Sequence, residues 1–274
     1  MRPTLLAVLL LVTACGAPPP ITGEVLTRSL RSAAGVDYEL FVRLPPGHGA
    51  APGTRYPVVV QLDATFLGQF ELAAGHASAL EARGTIPPVV VVGIARAEGA
   101  GDVQARQTDF APPPLDPASR SPGQADVFLA LLADELLPAL DAEFALDPDR
   151  RVLSGHSLGG LFALYAFAAG EEDGAALFEH VIAADPSYGH DRGVIFGHEA
   201  LLRDGAPAGR ASAYLTVGVQ TGAAQLVYLE AMRARIAAWP APPRLEAAAL
   251  DTDHFGTLSP SIEAGLAFAL GGAR

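Results

Sequence analysis

Six short apolar runs recur along the chain, at residues 57–62, 89–95, 151–154, 180–184, 213–219 and 244–250. Each is rich in Val, Ile, Leu or Ala and too short for a buried helix, which is the pattern of strands covered on both faces. Upstream, residues 24–30 and 36–44 have extended character around Ser32-Ala33-Ala34-Gly35 and predict an antiparallel hairpin. Between the runs the period changes. Residues 124–144 set Val127, Phe128, Leu131, Leu132, Leu136, Leu140 and Phe144 on one broad stripe, and residues 225–239 do the same with Leu226, Leu229, Met232, Ile236 and Trp239. Both stripes predict helices packed on a core, the first kinked at Pro138. Residues 158–169 form a third, wholly apolar helical pattern, and residues 98–123, rich in Pro, Ala and Asp, read as a long loop overhanging a site. A hairpin followed by repeated β-α units implies one α/β domain, a mostly parallel sheet with helices on both faces.

Composition narrows the chemistry. The 274 residues are 50% hydrophobic and 18% charged, ample for a core, with 30 acidic against 18 basic residues and a net charge of −12. An acidic chain without a basic block argues against nucleic acid as a partner. There is no Lys and no Asn, so every basic residue is Arg. This excludes Schiff-base chemistry, a lysine-anchored pyridoxal phosphate, the P-loop lysine and N-linked glycosylation. The single Cys excludes an intrachain disulfide and Cys-rich zinc sites, and no His/acid spacing suggests a metal. No cofactor is expected.

That Cys is Cys15. Arg2, a short apolar run and Val12-Thr13-Ala14 precede it, a secretory signal too short to span a bilayer. The arrangement resembles the lipobox of bacterial lipoproteins, which implies cleavage after residue 14, lipid on Cys15 and attachment to a membrane. An ordinary cleaved signal with a chance Cys is the alternative. Residues 1–14 are then the signal, 15–23 a stiff, solvated, Pro-rich tether, and 24–274 the folded domain.

The chemistry concentrates in Gly155-His156-Ser157-Leu158-Gly159, a G-x-S-x-G between a short strand and an apolar helix. In that context the motif is a nucleophile elbow: a strained turn that presents the serine at the helix N-terminus, where free N–H groups suit a developing oxyanion. A serine hydroxyl needs a base. Of seven histidines, His254 follows the last predicted strand, where the order Ser, acid, His requires it. The acid is less evident. After Val219 the chain reads Gln220-Thr221-Gly222-Ala223 without a carboxylate, Glu230 lies inside the next helix, and Asp253 adjoins His254 and points away from it. Asp185 ends the preceding strand, where strand ends face the site; a Ser157–His254 dyad, or a purely structural Asp185 before Pro186, competes with it.

The stretch Asp147 to Tyr165 resembles the elbow of the esterase family of the α/β-hydrolase superfamily, a group that includes esterase D-like enzymes, enterochelin (siderophore) esterases and mycolyltransferases. Tyr56-Pro57-Val58-Val59-Val60-Gln61-Leu62-Asp63, Arg106-Gln107-Thr108-Asp109-Phe110-Ala111-Pro112, Ala184-Asp185-Pro186-Ser187 and Asp253-His254-Phe255 are similar to further segments, so the resemblance covers roughly residues 24–270. It implies an α/β-hydrolase fold and a serine esterase acting through an acyl-enzyme on a small-molecule ester. It also implies an oxyanion hole from the N–H groups of Leu158 and Thr65, with Ala64 the second choice for the latter. Acyl transfer through the same residues, or a non-catalytic binding module, are the alternatives. Within the long loop an Arg106–Asp109 pair is expected, with contact of Arg106 to an anionic or phenolic substrate group as the alternative. The substrate and the oligomeric state stay open.

Overall fold

The computed structural model describes residues 18–98, 101–169, 177–202 and 211–272. The expected signal, residues 1–14, and Cys15 lie outside them. All eight predicted strands form: β1 (Glu24–Arg31), β2 (Asp37–Leu44), β3 (Tyr56–Gln61), β4 (Val90–Arg96), β5 (Leu146–His156), β6 (His180–Ala184), β7 (Ser212–Gly218) and β8 (Arg244–Leu250). They make one sheet in the order β1-β2-β4-β3-β5-β6-β7-β8. β2 runs antiparallel to β1 and β4, and every other pair is parallel. This is the α/β-hydrolase fold.

The two-residue period of the central strands is visible in the core. Val58, Val60, Val92, Leu153, Val181 and Leu215 pack into one cluster, whereas their neighbours Val59, Val91, Val152, Ile182 and Tyr214 pack into a second on the other face. Helices α1 (Gln69–Ala82) and α8 (Leu258–Leu270) cover the second face through Ala73, Ala77, Leu80, Ile262 and Leu266. The first face carries α2 (Val103–Phe110), α3 (Ala125–Ala130), α4 (Leu137–Phe144), α5 (Leu158–Ala169), α6 (Val194–Leu202) and α7 (Ala223–Ala237). β8 departs from the double burial expected of it: it is the edge strand and half exposed.

Three other expectations change in detail. The kink at Pro138 takes the form of a π-widened turn at Leu131–Leu136, which leaves Pro138 in the first turn of α4, where a missing N–H costs little. The long loop contains α2, whose N-cap Asp102 accepts from the Ala105 N–H at 2.9 Å. And the tether is not free in solvent from Pro19 onward. Pro19 sits so close to Gly75 of α1 that any side chain there would overlap its carbonyl. The Thr22 N–H bonds Ser78 Oγ at 3.0 Å, and Arg43 Nε bonds the Thr22 carbonyl at 2.7 Å. Residues 19–22 therefore run beside residues 75–78 in the same direction as α1.

Candidate active site

Every parallel strand delivers its C-terminal end to one edge of the sheet, and the predicted site residues arrive there on separate connections. Ser157 joins β5 to α5 with φ +61°, a left-handed conformation costly for a residue with a side chain. Bonds on both sides hold it: the Ser157 N–H donates to the Ala184 carbonyl at 3.0 Å, and the Ser157 carbonyl accepts from the Ser187 N–H at 3.0 Å. Gly155 is obligatory, because a Cβ there would run into the backbone of Gly159. The Ser157 hydroxyl bonds Ser187 Oγ at 3.2 Å. Among the described residues it makes no bond to His254.

His254 stands in the loop after β8, and Gly218 lets that loop close onto β7, since a Cβ at this position would lie 2.7 Å from the carbonyls of Thr252 and Asp253. Its Nδ1 is 2.9 Å from Asp185 Oδ2. Asp185 is fully buried at the end of β6, with φ +38°. Its carboxylate also accepts from Thr221 Oγ1 at 2.7 Å and from Gln225 Nε2 at 2.7 Å. Burial pushes the Asp185 pKa up, but the bonds from His254, Thr221 and Gln225 outweigh it and hold the group below the usual carboxylate range. The other carboxylates weighed above lie elsewhere: Glu230 pairs with Arg233 at 2.7 Å, and Asp253 Oδ1 accepts from the Gly256 N–H. Gln220 bonds Asp251 at 3.3 Å.

The loop after β3 supplies the facing wall. Asp63, at φ +55°, turns the chain. The Ala64 N–H is already spent on the Ile94 carbonyl (3.1 Å) and the Phe66 N–H on the Asp63 carbonyl (2.9 Å). The Thr65 N–H between them has no partner among the described residues, which favours Thr65 over Ala64. The Leu158 N–H opens α5, where no residue of the helix can accept from it.

The Arg106–Asp109 pair expected within α2 does not form. Arg106 instead makes two bonds to Asp63, at 2.8 and 2.7 Å, and Asp109 pairs with Arg96 at 2.7 Å and accepts from the Tyr38 hydroxyl at 3.3 Å. Asp63 is 5% exposed, so its carboxylate depends on Arg106 for compensation. Thr221, Gln225 and Ser187 were not singled out in the sequence: a hydroxyl and an amide aimed at a carboxylate have no period or spacing to mark them.

The family model described as "Putative esterase" matches residues 32–186. Ferri-bacillibactin esterase BesA of Bacillus subtilis is 30% identical over 161 residues, 55% of this chain and 53% of that protein, so the chain spans about half the length of this curated relative. Among solved structures, the BES protein of Bacillus cereus superimposes with a TM-score of 0.74 at 23% identity, covering 94% of this chain and 99% of that one. Siderophore hydrolase EstB of Aspergillus nidulans does so with a TM-score of 0.79 at 21% identity, covering 93% and 99%. These structures share the fold; the family match runs through the elbow and covers more than half of the chain, and on that ground the chain belongs to the esterase family.

Proposed function

We propose that this chain hydrolyses carboxylic esters through an acyl-enzyme on Ser157. His254 takes the Ser157 proton as the oxygen attacks the ester carbonyl, and Asp185 holds Nδ1–H and offsets the imidazolium charge. The N–H groups of Leu158 and Thr65 bind the oxyanion. Collapse of the tetrahedral adduct expels the alcohol, which leaves with the proton from His254. Water then repeats the sequence on the acyl-enzyme, releasing the acid and restoring Ser157. The observation that carries this reading is the 2.9 Å bond between Asp185 and His254, on the edge where the strained elbow presents Ser157.

Siderophore esters are the substrate class, a reading supported by the names of the relatives, ferri-bacillibactin esterase and siderophore hydrolase. Export and lipid attachment at Cys15 complete the proposal and rest on the pattern of residues 1–15. A fluorophosphonate probe tests the chemistry. It should label the wild-type protein and leave Ser157→Ala unlabelled, with turnover of p-nitrophenyl esters and of a catecholate siderophore lost in parallel. A folded Ser157→Ala that still turns over either ester would sink the mechanism.

A further inference from the structure

His156, the second residue of the elbow motif, has no part in the steps above, yet it is fully buried at the site. Its Nε2 lies 2.9 Å from the backbone carbonyl oxygen of His254, 98 residues away in the chain. A carbonyl only accepts, so Nε2 carries the proton and Nδ1 is left with a lone pair, which is buried without a partner among the described residues. The same carbonyl accepts from Thr257 Oγ1 at 2.7 Å. The two imidazole rings are in contact, their centroids 4.4 Å apart and their planes inclined by 41°.

Asp185 fixes the ring of His254, while its loop is tied to β7 by the Gln220 N–H bond to the Thr252 carbonyl at 3.0 Å and to its own next turn by Thr257. The bond from His156 adds a tie of a different kind, because it originates on the residue covalently joined to the nucleophile. We propose, on the reading that Ser157 and His254 act as nucleophile and base, that His156 is a positioning residue: it sets the separation of the two by fastening the backbone of the base to the elbow. Its neighbours suit the task. Burial drives the His156 pKa down to about 4, against the raising effects of its bond to His254 and of the Asp185 charge, while the His254 and Arg106 charges lower it further. The donor is therefore neutral near pH 7 and puts no positive charge beside the imidazolium that forms on His254 in the proposed mechanism. A geometric error of about 1 Å at a reacting pair costs on the order of 100-fold.

The test compares His156→Phe, which keeps the ring contact without the bond, with His156→Gln, whose amide can still donate. On a soluble p-nitrophenyl ester, His156→Phe should lower kcat by about 10- to 100-fold with KM within about twofold. His156→Gln should recover most of the loss. Thermal melts of both variants separate positioning from folding: the proposal requires the two to melt alike while their kcat values differ. Wild-type kcat in His156→Phe overturns it, as does a loss equal in both variants that tracks their melting temperatures. Ser157→Ala is the companion control. If it is inactive while His156→Phe is normal, only the positioning role fails; if it is active, the serine mechanism itself fails.

Discussion

Asp185 and His254 meet at 2.9 Å across β7: Asp185 ends β6, His254 follows β8, and the strand between them ends without a carboxylate. Thr221 and Gln225, which follow β7, supply no carboxylate and instead donate to that of Asp185. In this geometry Asp185→Asn keeps the shape and loses the charge. It should reduce kcat on the order of 10⁴-fold, as loss of the acid does in a working triad. Gln220→Ala and Glu230→Gln, both exposed, should stay within about twofold of wild type, less than 0.5 kcal/mol of barrier. Steady-state kinetics of the three on one ester decide the point, and a near-normal Asp185→Asn removes Asp185 from the chemistry.

Removing Arg106 strands a buried carboxylate. Arg106→Met should destabilise the fold by about 3–5 kcal/mol, the usual consequence of leaving one member of a buried pair behind. Adding Asp63→Asn to Arg106→Met should restore part of that loss, because the residual group no longer carries charge. Urea unfolding of the single and double variants measures both values. Equal stability of Arg106→Met and wild type would mean that Asp63 needs no partner.

Acid should weaken the fold well before the carboxylates titrate. The folded protein holds His156 near pKa 4, against an ordinary value of 6.5, so below about pH 6.5 the unfolded chain binds a proton that the folded one refuses. Stability then falls as pH drops from about 6.5 towards 4, by about 3 kcal/mol at most from this residue. His76 and His190, lowered chiefly by burial, act in the same direction. Asp185 works in a lower window: its depressed pKa gives stability that is present above about pH 4 and lost as pH falls through the folded value. Urea midpoints between pH 4.5 and 7.5 should show a steeper slope for wild type than for His156→Gln. Parallel slopes would count against the buried neutral imidazole.

Cys15→Ser tests the anchor. Wild-type protein should fractionate with membranes, and the variant should move to the soluble fraction, since acyl chains contribute about 0.8 kcal/mol per buried CH₂ and the protein would lose all of them. Wild-type protein wholly in the soluble fraction contradicts the lipobox reading.

The strands were legible because double burial writes runs such as Val58-Val59-Val60 and Val89-Val90-Val91-Val92 into the chain. α2 was not, for a physical reason. Its buried residues are Arg106, Asp109 and Phe110, so ion pairs and not an apolar stripe hold it down, and hydrophobic periodicity does not register it. α1 went unread because Ala73, Ala74, Gly75 and Ala77 make its buried face, small residues with a weak pattern. At the site, Ser157 and His254 could be picked out by their place in the order of strands. The partner of Arg106 could not: Asp63 lies 43 residues away, and only the folded chain brings the two loops together.

The course of residues 19–22 beside α1 has a mechanical consequence. α1 starts at the catalytic edge of the sheet, and Pro19 lies level with Gly75, six residues or about 9 Å into the helix. Load on the chain at Pro19 therefore passes into α1 well down the helix, through the Thr22 N–H bond to Ser78 and the Arg43 bond to the Thr22 carbonyl, rather than through the loops at the edge that carries Ser157 and His254.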